Sequence, residues 1–114
     1  MRLFMVELTV RDLPTSLRFY RDRLGLAVAH LDEPNGFALL DAGGRLALKQ
    51  GVPAGGATVH LEVPGLAAEL TRLGEPSAIK ASAEGYRRAK LRDPDGHGVV
   101  LFEWVPPLGS RAGF

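Results

Sequence analysis

Two stretches of the chain alternate apolar and polar residues, and they do so in the same phase. Residues 5–13 read MVELTVRDL and residues 58–66 read TVHLEVPGL, an offset of 53 residues throughout. Val6, Leu8, Val10 and Leu13 in the first correspond to Val59, Leu61, Val63 and Leu66 in the second. Period-two alternation predicts strands with one apolar face. The opposite face carries Met5, Glu7 and Thr9 in one copy and Thr58, His60 and Glu62 in the other. The period then changes to that of a helix. Residues 13–23 place Leu17, Tyr20 and Leu24 on one stripe, with Asp12 as N-cap, Pro14 in the first turn and Gly25 as the stop. Residues 66–73 repeat this with Leu66, Leu70 and Leu73, ended by Gly74. Short strands follow each helix: 26–31, 36–42 and 45–50, then 77–81, 86–92 and 97–104. Turns separate them at Glu33-Pro34-Asn35-Gly36, at Gly43-Gly44 and at Asp93-Pro94-Asp95-Gly96.

The pattern is an α+β chain of two tandem βαβββ modules, residues 1–52 and 55–105, joined by a linker at about 51–57. A strand–helix–three-strand unit cannot cover both faces of its own sheet. Two such units can close a curved mixed sheet around a cleft, the natural place for function. The 114 residues fit a single domain over 1–107, with 106–114 as a loose tail.

Composition removes several function classes. The net charge is +1, which gives no field directed at nucleic acid or an anionic membrane. There is no cysteine, so disulfides, thiolate nucleophiles and cysteine-bound zinc are excluded. A reducing cytoplasm fits that composition. The first ten residues lack the pattern of a signal peptide, and no apolar run reaches the ~20 residues needed to span a bilayer.

Three stretches carry a family resemblance. Residues 6–26 hold Asp12-Leu13, Phe19-Tyr20 and Leu24-Gly25, residues 58–74 repeat that opening, and residues 93–103 read DPDGHGVVLFE. In this order and at these separations they resemble the vicinal oxygen chelate superfamily of glyoxalases, bleomycin-resistance proteins and extradiol dioxygenases. The resemblance implies the fold over nearly the whole chain. It does not imply one activity, because the superfamily hosts metal-dependent isomerases and lyases, dioxygenases and proteins that sequester antibiotics without catalysis. Its metal enzymes hold a divalent ion with His, Glu or Gln from the first and fourth strands of each module. Those positions fall here at Met5, Ala47, Thr58 and Val100. None suits zinc, magnesium or manganese, so no metal and no other cofactor is expected.

The next inward positions along the same strands are Glu7, Lys49, His60 and Phe102. Three readings of them stand. They form the polar core of a ligand pocket; or Glu7 and His60 make a structural ion pair; or they serve chemistry, as an acid–base pair passing a proton or as a displaced metal site. Other residues weigh less. His97 follows the DPDG turn and reads as an exposed loop histidine, and His30 reads as surface. Arg87, Arg88, Lys90 and Arg92 are split between faces by alternation and read as a solvated edge, or else one arginine leans over the cleft to meet an anion. Phe102 and Trp104 could stack on an aromatic ligand, but core or subunit interface is the commoner role. Phe19 and Tyr20 read as packing.

The function expected is binding of a small organic molecule in a metal-free cleft. The alternative is a metal-dependent or acid–base enzyme, a lyase, isomerase or dioxygenase, and a divalent metal enters only there. The resemblance also implies a homodimer.

Overall fold

A computed structural model describes residues 2–53, 55–76, 79–81 and 85–105. The chain folds as two units. One takes the described residues up to Ala57 together with Arg92–His97; the other takes Thr58–Leu91 and the described residues from Gly98 onward.

In the first unit, β1 (Val6–Val10), β2 (Ala27–Asp32), β3 (Phe37–Asp41) and β4 (Arg45–Gln50) form a sheet of order β1-β4-β3-β2. β1 runs parallel to β4 and the other pairs are antiparallel. A parallel pair needs a long crossover, and the helical segment with β2 and β3 supplies it. Leu8 and Val10 of β1 lie on the same face as Leu46 and Leu48 of β4, and all four are buried. Against them pack Leu13 and Leu17 of α1 (Leu13–Leu17). Asp12 caps α1 as expected, accepting the Thr15 N–H at 3.1 Å. The Thr15 hydroxyl, and then that N–H, hold the Asp12 carboxyl below its ordinary range. The Gln50 side chain accepts the Leu13 N–H at 2.9 Å, tying the helix start to the end of β4.

The expected helix over 13–23 is not one helix. After Leu17 the chain widens into a π turn over Arg18–Arg23, closed by a bond from the Leu24 N–H to the Phe19 carbonyl at 2.9 Å. The wider turn takes Leu24 off the stripe: Leu13, Ser16, Leu17 and Tyr20 are buried and Leu24 is only half-buried. The Glu33–Gly36 turn forms a single 3-10 turn capped by Asp32. Gly36 sits there at φ +63°, where a Cβ would lie 2.8 Å from the Gln50 Cβ, so the position takes only glycine without strain.

The second sheet is formed by β5 (Thr58–Glu62), β6 (Lys80–Ala81), β7 (Tyr86–Arg92) and β8 (Gly98–Trp104) in the order β5-β8-β7-β6, the same topology one module later, and lies in the second unit, β7 as far as Leu91. β5 is parallel to β8. α2 (Leu66–Leu73) buries Leu66, Leu70 and Leu73, its expected stripe. Its N-cap, Gly65, has no side chain to offer. Glu103 of β8 fills that role from outside the helix, its Oε2 accepting the Leu66 N–H at 3.1 Å. The fold class is therefore the α+β pair of βαβββ modules read from the sequence. Residues 77 and 78 of the expected strand over 77–81, Ala54 of the linker and the tail 106–114 lie outside the described residues.

Candidate functional site

The side of the second sheet away from α2 carries the densest set of functional side chains. Strand alternation sends Val99 and Leu101 toward α2 and leaves Val100, Phe102 and Trp104 on the other side. Register aligns His60 with Val100 and Glu62 with Phe102. Tyr86 and Arg88 of β7 complete the set. Together His60, Tyr86, Arg88, Val100, Phe102 and Trp104 line a hollow of about 260 Å³. The three aromatic rings meet edge to face: Phe102 and Trp104 at 5.5 Å, Tyr86 and Trp104 at 5.9 Å, and Tyr86 and Phe102 at 6.3 Å between centroids. This is the geometry the ring quadrupoles prefer. It leaves half-buried ring surface at the hollow.

The two central arginines of β7 separate as alternation requires. Arg87 pairs with Glu103 at 3.0 Å, on the α2 side. Arg88 lines the hollow. Of the cluster read from the sequence as a solvated edge, Arg92 donates to the Gly96 carbonyl at 3.0 Å.

Of the four inward residues expected from sequence, His60 and Phe102 are brought together at this hollow. Glu7 and Lys49 stand on the first sheet, on the face opposite α1, with Glu7 beside Ala47 and Thr9 beside Lys49 in the register. The Lys49 ammonium donates to the Asn35 carbonyl at 2.7 Å. His30 is exposed, as expected, with its ring 6.4 Å from that of Phe37. Tyr86 was not singled out in the sequence; its alternation with Arg88 and Lys90 was the available signal.

His97 is a correction. It is not an exposed loop residue but 3% accessible. Its Nδ1 accepts the Ala57 N–H at 3.1 Å and its Nε2 lies 2.9 Å from the Thr9 carbonyl. A carbonyl only accepts, so Nε2 carries the proton and the ring is fully satisfied. The surrounding turn is equally well bonded. Asp93 Oδ1 accepts the N–H groups of Asp95 at 2.9 Å and His97 at 2.8 Å, while Oδ2 accepts the Tyr20 hydroxyl at 2.7 Å. Asp95 takes the Arg11 N–H at 2.9 Å. Burial, and then the bond to Asp93, push the Tyr20 phenol above its ordinary range. These groups are bound to one another and read as structure rather than chemistry.

Two larger hollows belong to the first unit. One, of about 530 Å³, is lined by Phe4, Met5, Asp41, Gly43 and Arg45 among others, but Arg45 already rests on the Phe4 ring at 4.6 Å. The other, of about 440 Å³, runs along α1 between Arg18, Arg21 and Glu33. Size favours these two; convergence of aromatic and cationic groups favours the third, and it is convergence that marks a binding site.

The positions used for metal in relatives can be tested on their surroundings. Ala47 is fully buried at the middle of β4 and Val100 is part of the apolar wall of the hollow. Neither side chain has a lone pair to give. Thr58 and Met5 are poor donors for a hard divalent ion. These residues do not fit the metal. Among the described residues no three His, Asp or Glu side chains gather where they could hold one.

Comparison with known proteins agrees with this architecture. The family model of the glyoxalase-like domain matches residues 5–102. The chain belongs to that family, within the vicinal oxygen chelate superfamily. Its structure is similar to a protein of unknown function from Agrobacterium tumefaciens (27% identity, TM-score 0.72, covering 90% of this chain and 94% of that one). It is also similar to a lactoylglutathione lyase from Agrobacterium tumefaciens (20% identity, TM-score 0.73, 90% and 92%). TioX from Micromonospora sp. ML1 is a further likeness (20% identity, TM-score 0.74, 91% and 99%). A search of curated proteins finds no significant match. No helix among the described residues is long and apolar enough to cross a membrane.

Proposed function

We propose that this chain binds a small organic molecule on the face of its second sheet away from α2, without a metal ion. One observation carries the reading: Val100, at a metal-ligand position of the family's enzymes, is instead an apolar wall of a hollow built from three aromatic rings, a histidine and an arginine. Aromatic walls with a few convergent polar groups are what small-molecule sites are made of. The volume, about 260 Å³, lies below the usual range for drug-sized ligands and suits a compact one. The reading rests on the second sheet alone.

The test uses a built-in reporter, since Trp104 is the only tryptophan and lines the hollow. Protein purified without chelators is analysed for metal, and Trp104 emission is then titrated with a panel of small aromatic and amphipathic compounds. Saturable changes in metal-depleted protein are expected. A stoichiometric, tightly held divalent ion, with no compound altering the emission, would overturn the reading in favour of a metalloenzyme.

We further propose a homodimer working in the cytoplasm. Leu3, Phe4 and Val6 are 82%, 59% and 48% exposed, apolar surface that supports a subunit contact. The absence of cysteine supports a reducing compartment. Sedimentation at micromolar concentration tests the dimer; a monomer there refutes it.

A further inference from the structure

The charge of the hollow narrows what it can hold. Its lining contains one guanidinium, one imidazole, three aromatic rings and one valine, and no carboxylate. The neighbouring arginine shows what a satisfied one looks like in this strand: Arg87 is met by Glu103, whose other oxygen is taken by the Leu66 N–H. Glu103 is thus committed on the α2 side. Among the described residues no ion pair joins Arg88 to a carboxylate. A cation left beside half-buried aromatic surface is complementary to a ligand with an anionic edge and a flat apolar body. Guanidinium meets a carboxylate through two parallel N–H bonds, which also fixes the plane of the ligand. The rings of Phe102, Trp104 and Tyr86 then supply surface for that body to lie against.

We propose that the ligand class is a small planar aryl carboxylate of one or two rings, and that Arg88 is the residue that selects for its charge. The carboxylate binds at the Arg88 guanidinium, the ring body lies on the aromatic wall, and His60 borders the same space. This rests on the reading of the hollow as a small-molecule site and adds the sign of the charge and the residue that reads it.

The experiment compares two probes of nearly the same shape, 2-naphthoate and neutral 2-naphthalenemethanol, by calorimetry on the whole chain. The Arg88→Gln and Arg87→Gln variants are measured beside it. Arg88 is exposed, so its replacement leaves the fold intact, which circular dichroism verifies. Should Arg87→Gln fold poorly, Arg87→Lys keeps the ion pair and serves as the control. Naphthoate is expected to bind about tenfold more tightly than the alcohol, the margin of one charge-assisted contact at an open site. Arg88→Gln removes that preference, Arg87→Gln keeps it, and added salt erodes it. Equal binding of the two probes, or a preference that survives Arg88→Gln, overturns the charge assignment while the small-molecule site stands. Failure of both probes to bind overturns the assignment together with the reading it rests on.

Discussion

Replacing Tyr20 with phenylalanine isolates one buried hydrogen bond from the packing around it. The ring is fully buried and its hydroxyl donates to Asp93 Oδ2 at 2.7 Å. Tyr20→Phe keeps the ring and its edge contact with Phe19, whose centroid is 5.0 Å away. What is lost is the donor. Asp93 Oδ1 keeps its two backbone N–H partners, but Oδ2 is left without this one in a 5% accessible residue. Bonds to charged acceptors contribute about 1.5–3 kcal/mol, so a loss of about 2 kcal/mol is expected. Unfolding entropy is about 2.1 cal/mol/K per residue, hence about 0.24 kcal/mol/K here, and the melting temperature should fall by about 8 °C. The pH dependence adds a second readout. The folded-state pKa of Tyr20 is raised, by burial first and then by Asp93. A raised pKa gives stability that is complete below the unfolded value, about 10, and is lost as pH climbs beyond it. Between the two values the native chain should lose about 1.4 kcal/mol per pH unit, and Tyr20→Phe should lack that slope. Urea unfolding of both proteins at neutral and alkaline pH measures both effects. A Tyr20→Phe variant within about 0.5 kcal/mol of the native chain, with an unchanged alkaline slope, would refute the reasoning.

Substitutions at two further positions test the local devices of each unit. Gly36→Ala forces a side chain into the left-handed region and toward the Gln50 Cβ, so a loss of about 1–3 kcal/mol is expected in urea unfolding. An unchanged midpoint would mean that the turn shifts freely. Glu103→Ala removes the acceptor for the Leu66 N–H at a helix start that has no side-chain cap of its own, and should cost about 1–2 kcal/mol. Glu103→Gln keeps an acceptor and should recover part of it, because the half-exposed Arg87 pair adds little. Equal losses in the two variants would assign the effect to the ion pair.

What the sequence disclosed was local and periodic. The strand pattern shared by Val6, Leu8 and Val10 with Val59, Leu61 and Val63 located both opening strands. The Leu66, Leu70 and Leu73 stripe located α2 to the residue. The π turn was not legible, because widening a helix by one residue per turn leaves no mark in composition. His97 was misread for a different reason. A histidine just after a DPDG turn looks exposed unless its partners are known, and Thr9 and Ala57 are 88 and 40 residues away. The site was half legible. Alternation put His60 and Phe102 on inward positions, and the hollow contains both. The division of labour between Arg87 and Arg88 depends on Glu103, a residue whose commitment to the start of α2 no pattern announces.

The turn at Asp93–His97 belongs to the first unit although it joins two strands of the second. The repeat in the sequence divides the chain near Ala57, but the first unit takes partners from beyond that point. A fragment ending at Ala57 would carry the Tyr20 hydroxyl and the Arg11 and Ala57 N–H groups without the partners they have now. Anyone recombining modules between such proteins must carry residues Arg92–His97 with the unit they belong to, not with the strands they connect.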